Sequence, residues 1–200
     1  MMSMETGSGS LVRIARGKRG YVHSIDMINA APINPDDLTF RFRFHALATC
    51  PGRWVERTAV ETGNASKAEL RIADLHAERC YDFICPDENA PLQRASEFGF
   101  HCDPEQFQIG DDLMTGPLRT EYPFWLQMTE IVRVGGVKIF SNRKWLTFSV
   151  SGTPHSMQAV PDGATLRLEM VSRRARLNVI GYETNYGASG QIMTTPAPSL

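Results

Sequence analysis

Two different periods run along the chain. From Leu38 to Cys50 apolar and polar positions alternate. Leu38, Phe40, Phe42, Phe44, Ala46 and Ala48 fall on one side, and Thr39, Arg41, Arg43, His45 and Thr49 on the other. A period of two is a β-strand, here with three phenylalanines on one face and two arginines on the opposite one. From Thr120 to Gly136, TEYPFWLQMTEIVRVGG, the spacing is helical. Phe124, Met128, Ile131 and Val132 share a stripe, with Trp125 beside them. Thr120 is placed to cap the first backbone N–H groups. Glu121 then falls in the first turn, where the helix dipole favours a carboxylate. Pro123 suits a first turn that needs no donor, and Gly135-Gly136 supplies the stop. The pattern predicts a mostly buried helix over Thr120–Val134.

The remaining pattern is mainly strand. Leu11–Ala15 and Tyr21–Asp26 flank the turn Gly17-Lys18-Arg19-Gly20 and read as a hairpin, with a helical turn an alternative for Met27–Ala31. Trp54–Val60 is a partner for the phenylalanine strand, across the turn Pro51-Gly52. Lys67–Cys85 fits strand or helix in its first half, and Arg79–Cys85 alternates as a strand. Pro86–Gly116 is irregular, broken by Pro91, Gly99, Pro104 and Gly110, and a connection that long is often functional. After the helix, Val137–Phe140 and Trp145–Ser151 read as strands. Ala164–Ser172 and Ala175–Tyr182 form a long hairpin, and Gln191–Thr195 is an edge strand. The pattern therefore predicts an α+β chain, a sheet wrapped around one central helix. A β-rich barrel or sandwich with one packed helix is the alternative. Residues 10–195 read as one domain between tails at 1–9 and 196–200. It is divisible into an N-terminal β lobe, 10–86, and a second part, 100–195.

Composition narrows the function classes. A net charge of −1 gives no overall field toward nucleic acid or membrane. The basic clusters Arg13, Arg16, Lys18, Arg19 and Arg173, Arg174, Arg176 sit at turns and read as solvated surface. No apolar run approaches the ~18 residues of a membrane span, and the N-terminal residues lack a signal-peptide pattern. A cytoplasmic protein is expected, its four cysteines free. His76, Cys80, Cys85, His101 and Cys102 are zinc-ligand types. However, Cys80 and Cys85 are five apart and face opposite ways on a strand, so no metal is expected.

One stretch resembles a family motif. Phe107–Leu118, FQIGDDLMTGPL, is similar to the run that leads into the central helix of the β-hydroxyacyl-acyl carrier protein dehydratases, which have the hotdog fold. Gly110, Asp111, Met114, Gly116 and Leu118 match in register. Downstream, Pro161-Asp162-Gly163 precedes a long hairpin, as a related turn does in that family. The resemblance covers the second half of the chain. It implies a hotdog-like antiparallel sheet around the helix, an acyl thioester or acyl carrier protein as partner, no cofactor and a homodimer. It places Glu121 at the family's catalytic acid. Phe107 stands where the family has its histidine, which puts dehydration itself in doubt.

The chemistry expected on this frame is limited. A helix N-terminus near Gly116–Glu121 suits the developing negative charge of a thioester carbonyl. Gly116, lacking Cβ, allows close approach. Glu121, Asp111 and His101 are the candidate acid/base groups, with His45 a further histidine. Gly116, Phe107, Met114 and Trp125 are the candidate substrate-binding residues. The competing reading gives Glu121 only a dipole role and makes the helix plain core in a non-catalytic interaction or structural protein. In that case Phe107, Trp125 and Met128 fill the space a pocket would need.

Overall fold

The structure, a computed structural model, describes residues 10–57, 66–139, 145–174 and 177–196. For residues 135–139, 145–146 and 196 it describes the backbone only. Of the tails expected over 1–9 and 196–200, Pro196 ends the last strand, while residues 1–9 and 197–200 lie outside the described residues. So do the end of the strand expected over Trp54–Val60, Phe140, and Ala175-Arg176. The chain divides into two units, Met1–Phe98 and Gly99–Leu200.

In the first unit, β1 (Ile14–Arg16) pairs in parallel with β6 (Gln93–Ala95). The segment expected as the second arm of a hairpin contributes only the bridge Ala15–Val22 and then becomes α1 (Ser24–Asn29). His23 causes the change: its Nδ1 accepts the Ile25 N–H at 3.2 Å and caps the helix. An antiparallel sheet follows in the order β3 (Arg53–Glu56), β5 (Glu78–Ile84), β4 (Ala68–Ala73), β2 (Thr39–Phe44). β2 is shorter than its alternation suggested. At its end both His45 and Ala46 donate to the Lys67 carbonyl, which ends regular pairing, and Leu38 is exposed. The inner face is aromatic. Phe42 meets Phe40 at 5.4 Å and Trp54 at 5.6 Å, Trp54 meets Phe83 at 5.3 Å, and the Trp54 indole donates to the Met27 carbonyl at 2.8 Å. The outer face is charged, with Arg57 forked between Asp82 and Glu69, and Arg71 on Glu69.

In the second unit the strand order is β9 (Trp145–Gly152), β12 (Ser189–Pro196), β11 (Leu177–Thr184), β10 (Thr165–Arg174), β8 (Leu113–Pro117), β7 (Gln108–Ile109), all antiparallel. This sheet does not close into a barrel. β12, expected at an edge, instead lies between β9 and β11, since both neighbours find paired registers along it. The helix α2 (Phe124–Ile139) packs on one face. Its stripe is buried as expected, with Met128 and Ile131 at 0% exposure. Both of its ends differ from expectation. It starts at Phe124, where the Leu126 and Gln127 N–H groups turn back to the Pro123 carbonyl, so Thr120 and Glu121 precede it. It also runs through Gly135-Gly136 and takes in Val137–Ile139, which the pattern had assigned to a strand. Glycine costs a helix only about 1 kcal/mol, less than tertiary packing supplies.

Candidate functional site

The start of α2 is assembled from β8, the turn 118–123 and the first helical turn. β8 is held by β10, with Gly116 opposite Leu166 and Met114 opposite Leu168. Leu118 extends the ladder by donating to the Ala164 carbonyl at 2.9 Å. The turn is fixed by Gln127, which is fully buried. Its Oε1 accepts from the Arg119 N–H at 2.8 Å, and its Nε2 donates to the carbonyls of Arg119 at 2.7 Å and Tyr122 at 2.8 Å. A buried carboxamide with its polar groups so engaged is a rigid clamp. Tyr122 packs edge-on against Phe100 at 5.0 Å.

Gly116 is in β8 rather than at the helix start, and its open side is taken by Phe107. A Cβ at Gly116 would lie 2.1 Å from Phe107 Cδ1. The close approach that glycine allows here is to a phenylalanine of the same hairpin, β7–β8. Met114 is buried beside it. Trp125 is also buried, its indole N–H donating to the Met157 sulfur at 3.2 Å.

The candidate acid/base groups are exposed. Asp111 lies in the turn closed by the Gly110 N–H on the Leu113 carbonyl, and its neighbour Asp112 pairs with Arg173 at 2.9 Å. Glu121 lies in the turn before α2, with the Thr120 hydroxyl 3.5 Å from its carboxylate. His101 is exposed just upstream. No hydrogen bond links these three among the described residues. Likewise, no three His, Cys, Asp or Glu side chains gather to hold a metal ion among them. Cys80 is on the outer face of β5 near Glu78. Cys85 is buried, its thiol donating to the Cys50 carbonyl at 3.5 Å, and burial pushes that thiol up to about 12.

Two residues of this region were not singled out from the sequence. Gln127 is one, and a polar residue inside the run Phe124–Met128 was its signal. Tyr182 is the other. Its ring meets Phe124 at 5.5 Å and Trp125 at 5.7 Å, and so joins the start of α2 to the sheet. Its hydroxyl donates to the Ser151 carbonyl at 3.2 Å and lies over Gly152 and Gly190, which face each other across β9 and β12. A Cβ at Gly152 would lie 1.9 Å from the Tyr182 oxygen. Burial raises this phenol above its ordinary range.

No family model and no curated protein sequence matches the chain. Solved structures do. The tesB protein of Mycobacterium avium subs paratuberculosis is similar over 94% of this chain and 92% of its own, at 10% identity and a TM-score of 0.50. A conserved protein of unknown function with a hot dog fold from Alicyclobacillus acidocaldarius is similar over 88% and 86%, at 11% identity and a TM-score of 0.43. The acyl-CoA thioesterase II TesB2 of Mycobacterium marinum is similar over 86% and 85%, at 9% identity and a TM-score of 0.41. At such identities the likeness is one of fold, and the fold is the hotdog α+β type. Among the described residues no helix is long and apolar enough to cross a membrane.

Proposed function

We propose that this protein binds acyl thioesters, carried on coenzyme A or an acyl carrier protein. The acyl chain lies on the α2 side of the second unit's sheet, with the thioester toward the start of that helix. The observation that carries the reading is the hotdog architecture, shared along 94% of the chain with the tesB protein. The run Gly110–Leu118 leading to α2 supports it, as does the clamped turn before the helix, where backbone N–H groups and the dipole favour developing negative charge. Glu121, Asp111 and His101 are the groups proposed for proton transfer at the rim. Phe107 has no proton to give, so dehydration of β-hydroxyacyl thioesters is expected to be weak or absent. A homodimer in the cytoplasm is part of the same proposal.

Titration with acyl-coenzyme A of increasing chain length tests the reading. Affinity is expected to rise with length, because each buried CH₂ contributes about 0.8 kcal/mol. Absence of binding at millimolar concentration would remove it. If turnover occurs and Glu121→Gln leaves it unchanged, Glu121 is not the acid/base.

A second reading has its own observation. Phe107 covers Gly116, and Trp125 and Met128 are buried in the packed layer of α2. That is the filling expected of a non-catalytic interaction protein, and failure of the titration would favour it.

A further inference from the structure

The second unit has a polar defect in its core. Asn178 on β11 and Thr194 on β12 stand directly opposite each other in the ladder. They are 0% and 2% exposed. Among the described residues, neither Asn178 Nδ2, Asn178 Oδ1 nor Thr194 Oγ1 has a hydrogen-bond partner. The two residues share the face of Ile180, Ile192 and Tyr182, the face on which Tyr182 meets α2. Opposite side chains on antiparallel strands have Cβ atoms about 5 Å apart, close enough for an amide and a hydroxyl to bond each other. Here they do not, and three polar atoms stay desolvated and unmet. A buried unmet polar group is costly, and such groups in a folded protein call for an explanation.

The chemistry that would meet all three atoms is specific. Asn178 offers an acceptor and a donor, and Thr194 a further donor. A hydroxyl satisfies them together by donating to Asn178 Oδ1 while accepting from Asn178 Nδ2 and from the Thr194 hydroxyl. Ile180 and Ile192, which face each other on the Tyr182 side of the pair, suit an apolar chain leading to that group. We propose that Asn178 and Thr194 bind a hydroxyl carried on an apolar chain, and that the protein's ligands are hydroxylated acyl groups. This rests on the acyl-thioester reading above. It also sets where the hydroxyl lies. Tyr182, at the start of α2, is four residues from Asn178 along β11, about 13 Å at ~3.3 Å per residue. The hydroxyl is therefore toward the far end of the acyl chain, away from the thioester.

The test is calorimetric titration of the full chain with dodecanoyl-coenzyme A and ω-hydroxydodecanoyl-coenzyme A. The hydroxylated thioester is expected to bind about tenfold tighter, the scale of one or two well-made hydrogen bonds. Asn178→Leu with Thr194→Val should abolish that preference, so that the two thioesters bind alike. Thr194→Ser, which keeps the hydroxyl, should retain the preference, and it serves if the double variant does not fold. Equal affinity for the two thioesters, the result if the pair merely holds a water, overturns the inference and leaves the acyl-thioester reading standing. If neither thioester binds, that reading falls and takes this inference with it.

Discussion

The two units solve the same problem, one sheet face to be covered, with different materials. The first covers it with aromatic rings. Phe40, Phe42, Trp54 and Phe83 interlock, α1 has only six residues, and the buried indole N–H is satisfied by the Met27 carbonyl. Its buried side-chain atoms without hydrogen-bond partners, among the described residues, are guanidinium Nε atoms of the half-buried Arg53 and Arg79, the latter within ion-pair distance of Asp74. The second unit covers its face with the sixteen-residue α2, and buries Gln127, Asn178 and Thr194 within that layer. Gln127 is fully engaged, whereas Asn178 and Thr194 are not. Polar atoms left unmet in a core reduce stability, so a core that retains them is where a ligand is best sought. By that criterion the first unit reads as scaffold and the second as the place for a site.

The contrast can be broken most severely at Met128. Met128→Asp buries an unpaired carboxylate against the sheet and costs several kcal/mol. Loss of the cooperative transition in chemical denaturation is expected, and a folded variant would mean that α2 is not the core element. Next is Trp54→Ala, which should cost about 3–5 kcal/mol by opening a cavity and orphaning the Met27 carbonyl. If the units are energetically separate, this variant will split the denaturation curve into two steps. Gly116→Val should cost about 1–3 kcal/mol through collision with Phe107. Adding Phe107→Ala should restore most of it. A lack of rescue in thermal melts would show that the glycine serves something other than that ring.

The smallest expected effect is a pH dependence in the first unit. Burial, with Arg19 nearby, lowers His23 below its ordinary 6.5. Its Nδ1 accepts the Ile25 N–H only when unprotonated. The unfolded chain then binds the proton more readily than the folded one. This contribution is present above about 6.5 and is lost as the pH falls through the lowered value. His23→Asn keeps a capping side chain, and should flatten the dependence of melting temperature on pH between neutrality and mild acid. An unchanged slope would assign that dependence to other groups.

Much of the architecture was legible along the chain, because it depends on local period. The phenylalanine strand, the hairpin β10–β11 and the buried stripe of α2 follow from which residues repeat every two or every 3.6 positions. The ends of elements were less legible. Thr120 has the chemistry of a cap but sits in a turn held by Gln127. Gly135-Gly136 has the chemistry of a stop but is carried through by the helix. At Thr120 the Gln127 clamp outweighed a local cap, and at the glycines the local cost, about 1 kcal/mol each, did not stop the helix. The motif residues were legible in kind, yet Gly116 proved to be shaped around Phe107.

The sequence by itself determined the α+β class, the buried stripe of α2 and the alternation that puts Asn178 on the same strand face as Ile180 and Tyr182. Only the tertiary structure decided that Thr194, sixteen residues further on, stands across from Asn178, and that Tyr182 rests on Gly152 and Gly190. The physical reason is that period specifies which face a side chain takes, whereas register specifies what it meets. Register comes from the ladder and from the turn that joins two strands, here residues 185–188 between β11 and β12, and alternation along one strand does not encode it.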